Sequence, residues 1–509
     1  MAKRGRGRII GPALVMLIVA AGLPLAPAAP LPGGALPATL PLGGLDGVDP
    51  LRHLPSAACG LVGAGLTGRC ERWSASHPGG TAGAAAHGVA ASPDGSRVYV
   101  TARAAGEGSR NGASDILTLA YDTTDGRLLW TSRYEGPGQG EDAPAGILAA
   151  PRADIVLVAG TSWGGSTGFD WVVLALHGST GEVLWVARET GPAGSSDAAF
   201  GMDLDPTGSR LFVAGWREGG RNPFDLDYQV VAYDTATGSR MWSATFNGPD
   251  DGGDVALALA VSSDGARVYV TGESWKDGSA EDIVTLSLDA STGHEAWAAR
   301  HATPGWDRAI RIAADPSGGT VVVAGGIAGP SFDAVVLAYD ASTGALRWSA
   351  TYAGPGGGYD FASALGFHPG GTEIYVASTS TGILSRWDFL VTAHELDSGS
   401  VLWRSRSDGR LGDDAAQALG VGHDGACVYI TGRSDGPQVH ADFLTIAYDS
   451  ASGEERWRAR HGGSIHGPAS AKALTLLPQR NALVVSGTAS SLQGSASIVT
   501  AAYDAPCSR

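Results

Sequence analysis

The chain has 509 residues, 43% of them hydrophobic, enough apolar material for a large core. It carries 51 Asp and Glu against 35 Lys and Arg, a formal net charge of −16. A surface of that sign repels phosphate backbones and acidic headgroups, which excludes nucleic acid as a partner.

The first 28 residues read as a signal peptide. Lys3, Arg4, Arg6 and Arg8 precede an apolar run from Ile9 to about Leu25, and Ala26-Pro27-Ala28 offers a cleavage site. Gly11, Pro12, Gly22 and Pro24 interrupt the run, which favours a cleaved signal over an uncleaved anchor. No later stretch reaches 18 consecutive apolar residues, so no transmembrane span is expected after cleavage, and the location is secreted or extracytoplasmic envelope. Residues 29–66 are rich in Pro, Gly, Leu and Ala without periodicity and read as a linker. The repeat region is expected over 67–509.

From there a tryptophan recurs every 51 to 57 residues: Trp73, Trp130, Trp185, Trp242, Trp297, Trp348, Trp403 and Trp457. The best-formed unit around it is Ala338-Tyr339-Asp340-Ala341-Ser342-Thr343-Gly344-Ala345-Leu346-Arg347-Trp348, which reads as strand, tight turn, strand. Each period holds four strand signals. In the unit ending at Trp297 these are Asp254 to Val261, Arg267 to Gly272, Asp282 to Asp289, and the strand of Trp297 itself. Four antiparallel strands per unit, repeated radially, make a propeller blade. The small residues of the first strand suit the position nearest the axis.

First-strand signals begin near Ala86, Asp142, Asp197, Asp254, Asp307, Asp360, Asp414 and Ala469, which predicts an all-β, eight-bladed propeller. The last unit stops at Asp504 without its tryptophan strand, and Cys70-Glu71-Arg72-Trp73 stands alone at the start. The N-terminal strand is therefore expected to complete the C-terminal blade and remove the open edge. Seven blades, with one irregular unit outside the ring, is the alternative. Overlaying the broken unit on an intact one brings Cys70 and Cys507 face to face, so a disulfide between them would staple the ring. Cys59 and Cys427 then remain, paired or free.

At these residues the chain resembles the pyrroloquinoline-quinone-type (PQQ-like) propeller repeat, whose docking motif is A-x-D-x-x-T-G-x-x-x-W. Ala232 to Trp242 and Ala338 to Trp348 fit it fully; Ser287 to Trp297 and Ala447 to Trp457 each depart at one position. The S-P-D-G and V-Y-V-T-G strings are also similar to the bacterial secreted β-propeller (SBBP) repeat. The resemblance implies the fold over about Gly68 to Asp504 and a structural role for the eight tryptophans. Quinoprotein dehydrogenases of this type stack their cofactor on a disulfide between adjacent cysteines beside calcium. This chain has no adjacent cysteine pair, so neither PQQ nor calcium is expected as a cofactor.

Candidate chemistry is sparse. Gly160-Thr161-Ser162-Trp163-Gly164 fits G-x-S-x-G, but sits where other units read Gly272-Glu273-Ser274, so it reads as a repeat-encoded loop. One set of aspartates (Asp142, Asp197, Asp254, Asp307, Asp360, Asp414) precedes or opens the first strand. Another (Asp115, Asp170, Asp227, Asp282, Asp333, Asp388, Asp442) opens the third. Both read as turn-fixing groups rather than calcium ligands, and no metal site is expected.

Residues that break the repeat are the binding candidates. Trp163, Trp216 and Trp275 follow the second strand of units two to four, and Trp306 leads into unit five, so all four fall on one face. With Arg217 and Lys276 they would form a surface for a protein or polysaccharide. Arg311 and Lys472, off-pattern cations on inner strands, would line the central channel. The reading is a non-enzymatic binding or scaffold propeller, expected monomeric. The alternatives are a quinone-dependent dehydrogenase and an envelope assembly factor.

Overall fold

Alternating β-branched and aromatic strands separated by Gly/Asp/Ser turns leave the chain few options besides antiparallel hairpins. The computed structural model describes residues 71–505 apart from the short stretches 80–82, 107–112, 192–193, 220–224, 278–279, 384–385, 408–411, 436–440, 463–466 and 492–494. The expected signal peptide, the linker and the Cys70–Cys507 staple lie outside the described residues.

The described residues form 32 strands in eight four-stranded antiparallel sheets. Blades one to seven occupy 84–134, 142–189, 197–246, 254–301, 308–352, 361–407 and 414–461, each ordered first, second, third, outer strand. Blade eight takes its three inner strands from 469–504 and its outer strand from Glu71–Pro78. Glu71–Pro78 pairs antiparallel with Ala496–Asp504, with Ala75 opposite Thr500. The eighth sheet rules out the seven-blade alternative. Each first strand contacts the first strand of the next blade, and that of blade eight contacts that of blade one, which closes the ring.

The core lies between blades. One buried cluster joins Val98, Val100 and Leu119 of blade one to Val484, Ile498 and Trp73 of blade eight. The motif tryptophans hold these seams. Trp297 is 8% exposed and donates its Nε1 to the Ala341 carbonyl of the next blade at 3.0 Å. Trp73, Trp130, Trp185, Trp242, Trp348 and Trp403 make the equivalent bond to the next blade, at 2.7–3.1 Å.

The motif glycine follows from the same contact. Gly344 sits at φ +71°, and a Cβ there would lie 2.6 Å from the Trp297 ring. A left-handed backbone and a close aromatic neighbour both require the residue without a side chain. The motif aspartate fixes the turn, for Asp340 Oδ1 accepts from the backbone N–H groups of Ser342 and Thr343.

Candidate binding face and channel

The connection from each outer strand to the next blade and the loop between second and third strands meet at one end of the propeller. Buried carboxylates pin this loop face. Asp142 accepts from Gly136 N and Trp163 N, and Asp360 from Gly354 N and Thr381 N, tying the incoming connection to the end of the second strand. Burial raises the Asp142 carboxyl above its ordinary range, takes Asp254 to about 6 and Asp197 to about 7.

The third-strand aspartates meet arginines placed three residues after the motif tryptophan. Arg133–Asp115, Arg188–Asp170, Arg300–Asp282, Arg406–Asp388 and Arg460–Asp442 are such pairs. The same guanidinium reaches a serine at the end of the second strand. Arg188 Nη1 donates to Ser162 Oγ at 2.8 Å, and Arg300 Nη2 to Ser274 Oγ at 2.7 Å. Ser162 therefore belongs to a repeated structural bracket.

The four off-pattern tryptophans divide. Trp163 is half-buried and packs edge-on against Phe169 at 4.9 Å. Trp275 is 37% exposed and lies over Gly252, with Lys276 exposed beside it. Trp216 is fully buried, and its carbonyl accepts from Trp171 Nε1 at 3.2 Å. Its ring presents nothing to solvent, which corrects the expectation of a surface aromatic there. Register explains the difference. Asp197 opposes Arg217 as Asp142 opposes Ser162 and Asp254 opposes Ser274, so Trp216 stands two residues earlier than Trp163 and Trp275, in the position of Thr161 and Glu273. Two residues along a strand keep the same face, and at this inner position Thr161 and Glu273 are buried as well. Arg217, in the serine position, faces Asp227 in register and lowers the Asp197 carboxyl against its burial. It supplies blade three with the cation that Thr245 does not.

Trp306 is half-buried and donates Nε1 to Glu273 Oε2 at 3.3 Å. The Arg308 guanidinium lies 5.9 Å from its ring centroid and 3.7 Å from Glu273. Two aromatics missed in the sequence continue the row: Phe332 lies 5.6 Å from Trp306, and Tyr359, 49% exposed, lies 6.2 Å from Phe332. Burial, with the Glu273 charge second, raises the Glu281 carboxyl beneath. An aromatic row with a charged flank thus crosses the loop face from blade four to blade six.

On the axis, every inner strand carries a β-bulge directly after a buried residue near its start. The extra residue is His87 in blade one, Phe200 in blade three, Gln417 in blade seven and Lys472 in blade eight. In blade five it is Ile310, so Arg311 follows the bulge and is not the counterpart of Lys472. Arg311 is exposed and donates to the Ile310 carbonyl at 2.9 Å. His87 lies beside Lys472, and burial together with Lys472 and Arg103 pushes it down to about 4.

A quinone–calcium centre finds no fit in these residues. The chain lacks adjacent cysteines, and among the described residues no three His, Cys, Asp or Glu side chains converge to hold a metal ion.

The family profile described as outer membrane protein assembly factor BamB matches residues 66–274, 173–386 and 387–501. The chain belongs to this family of PQQ-like propellers. The BamB of Bordetella pertussis is 24% identical over 324 residues, covering 62% of this chain and 68% of its own. Among solved structures similar to this BamB-family propeller, quinohemoprotein alcohol dehydrogenase ADHIIG from Pseudomonas putida HK5 has TM-score 0.55 at 12% identity, covering 86% of this chain and 77% of that one. That of Comamonas testosteroni has TM-score 0.51 at 14% identity, covering 87% and 77%. At these identities the likeness shows the fold alone. Among the described residues no helix is long and apolar enough to cross a membrane.

Proposed function

We propose that this BamB-family propeller is an exported, extracytoplasmic scaffold that binds a protein partner on its loop face and performs no chemistry of its own. The row Trp306–Phe332–Tyr359, with Trp275 and Lys276 alongside, carries the reading. Large aromatics with one face open and charged groups at the margin are the composition of interface hot spots. The name of the family, an assembly factor, supports a protein ligand over a small substrate. The serine of the G-x-S-x-G string is held by Arg188, which supports a non-enzymatic role.

The test is affinity capture from a cell-envelope extract, with the double variant Trp275→Ala/Tyr359→Ala beside the wild type. A partner retained by the wild type and lost by the variant is expected. Capture that is unchanged in the variant would refute the site. Retention of a polysaccharide in place of a protein would move the ligand to the glycan class.

A further inference from the structure

The outer strand of each blade leaves one edge without a partner strand among the described residues. Such an edge offers N–H and C=O groups at the spacing of a β-ladder, and soluble proteins usually guard it with charge. The exposed guard positions here are the two residues before the docking tryptophan and the one after it. In seven blades at least one of them is charged or hydroxylated. Blade six carries Arg404, blade five Arg347, blade four Glu295, blade three Ser243 and blade one Thr131.

Blade two has no guard. In its outer strand, Val183–Glu189, the three positions are Val183, Leu184 and Val186, exposed by 49%, 45% and 44%. Packing does not account for them, because Trp185 between them makes the contact with blade three. The charged residues further along are engaged elsewhere, Arg188 with Asp170 and Glu189 with Arg240. Glu182, just before the strand, is exposed and has no ion pair among the described residues. The edge therefore presents a ladder, three apolar side chains, and one carboxylate at the end where the strand begins.

We propose that the blade-two edge is a strand-addition site for an extended partner segment with alternate apolar side chains and a Lys or Arg at the end that lies beside Glu182. The ladder demands an extended backbone, Val183, Leu184 and Val186 demand apolar side chains, and Glu182 selects the cation. The segment becomes the fifth strand of blade two. The site is on the outer rim, apart from the aromatic row, and does not depend on it.

The probe is a labelled peptide, Lys-Val-Thr-Val-Thr-Val-Lys, with a twin N-methylated at alternate residues, titrated into the full chain by fluorescence anisotropy. Saturable binding is expected, at least about tenfold weaker for the twin, because N-methylation removes ladder donors and keeps the apolar side chains. Val186→Lys should weaken binding by a similar factor, and Ser349→Lys on the guarded edge of blade five should leave it unchanged. Both substituted side chains are exposed, and matching melting curves for the two variants would confirm that the fold is intact. Equal affinity for peptide and twin, equal affinity in Val186→Lys, or no saturation below about 1 mM would each overturn the proposal.

Discussion

Arg72 donates Nε to Asp504 Oδ1 at 2.5 Å across a sequence separation of 432 residues. The same contact forms within single hairpins as Arg347–Asp340 and Arg456–Asp449, each seven residues apart. Ring closure thus uses the ordinary hairpin pairing of the repeat, with the turn cut between its two strands. His461 Nδ1, 2.7 Å from Glu71 Oε2, joins the completed blade to its neighbour.

The weight at this seam falls on the tryptophan. The partners of the Arg72–Asp504 pair are 32% and 41% exposed, so Arg72→Ala should cost no more than about 1 kcal/mol. Trp73 is 7% exposed, lies against Gly126 and bonds Thr123 O. Trp73→Ala should cost about 3–5 kcal/mol. Guanidinium unfolding of both variants checks the contrast, and equal losses would contradict it.

The turn glycines are not equivalent. Gly344→Ala must adopt φ +71° and press on the Trp297 ring, for about 2–4 kcal/mol. Gly357, at φ +64°, has nothing within 4 Å of an added Cβ, so Gly357→Asn should cost less than about 1 kcal/mol. Gly344→Asn should not be rescued, because asparagine relieves the backbone and not the clash. Chemical denaturation of the three variants gives the order.

Much of this was legible in the sequence, for a physical reason. The Asp, Gly and Trp of the docking motif each meet a backbone demand that recurs in nearly every blade, so period and count could be read directly. The unpaired ends at Trp73 and Asp504 gave the closure. The loop face was less legible. Gly215-Trp216 and Gly272-Glu273-Ser274-Trp275 look alike until they are aligned on the glycine, when Trp216 falls one residue after it and Trp275 three. Phe332 and Tyr359 went unseen because each reads as local strand or loop composition. Only the fold brings them to Trp306.

Asp203 gives a pH dependence with a defined sign. Its carboxylate accepts from Leu204 N and from Val261 N of blade four, and burial raises it to about 6. A carboxyl raised on folding contributes stability that is full below its unfolded value, near 4, and is lost as pH rises through 6. His87, pushed down to about 4, acts in the opposite sense over much of the same window, so total stability would hide the effect. The difference between wild type and Asp203→Asn isolates it. The variant should gain on the wild type by about 2–3 kcal/mol between pH 4 and pH 7.5. Urea titrations across that range would show a flat difference if Asp203 did not titrate there.

Ser162 should behave as structure. Ser162→Ala removes an acceptor from the part-buried Arg188 and should cost about 1–3 kcal/mol. A fluorophosphonate probe, which labels an activated serine, should leave the wild type unmodified. Covalent labelling at Ser162 would restore a hydrolytic reading.

Cys427 decides how the chain end is held. It is fully buried and disulfide-bonded, and its partner lies outside the described residues. Ala505 packs in the same buried cluster, and its carbonyl accepts from Tyr429 Oη at 2.6 Å. The partner of Cys427 is Cys59, Cys70 or Cys507, and of the three pairings only Cys59–Cys427 leaves the Cys70–Cys507 staple across the seam in place. Non-reducing peptide mapping separates them. A Cys427–Cys507 peptide would mean that reduction frees the chain end while Trp73 still closes the ring. A Cys70–Cys507 peptide would leave Cys59 as the partner of Cys427 and make the seam itself sensitive to reduction.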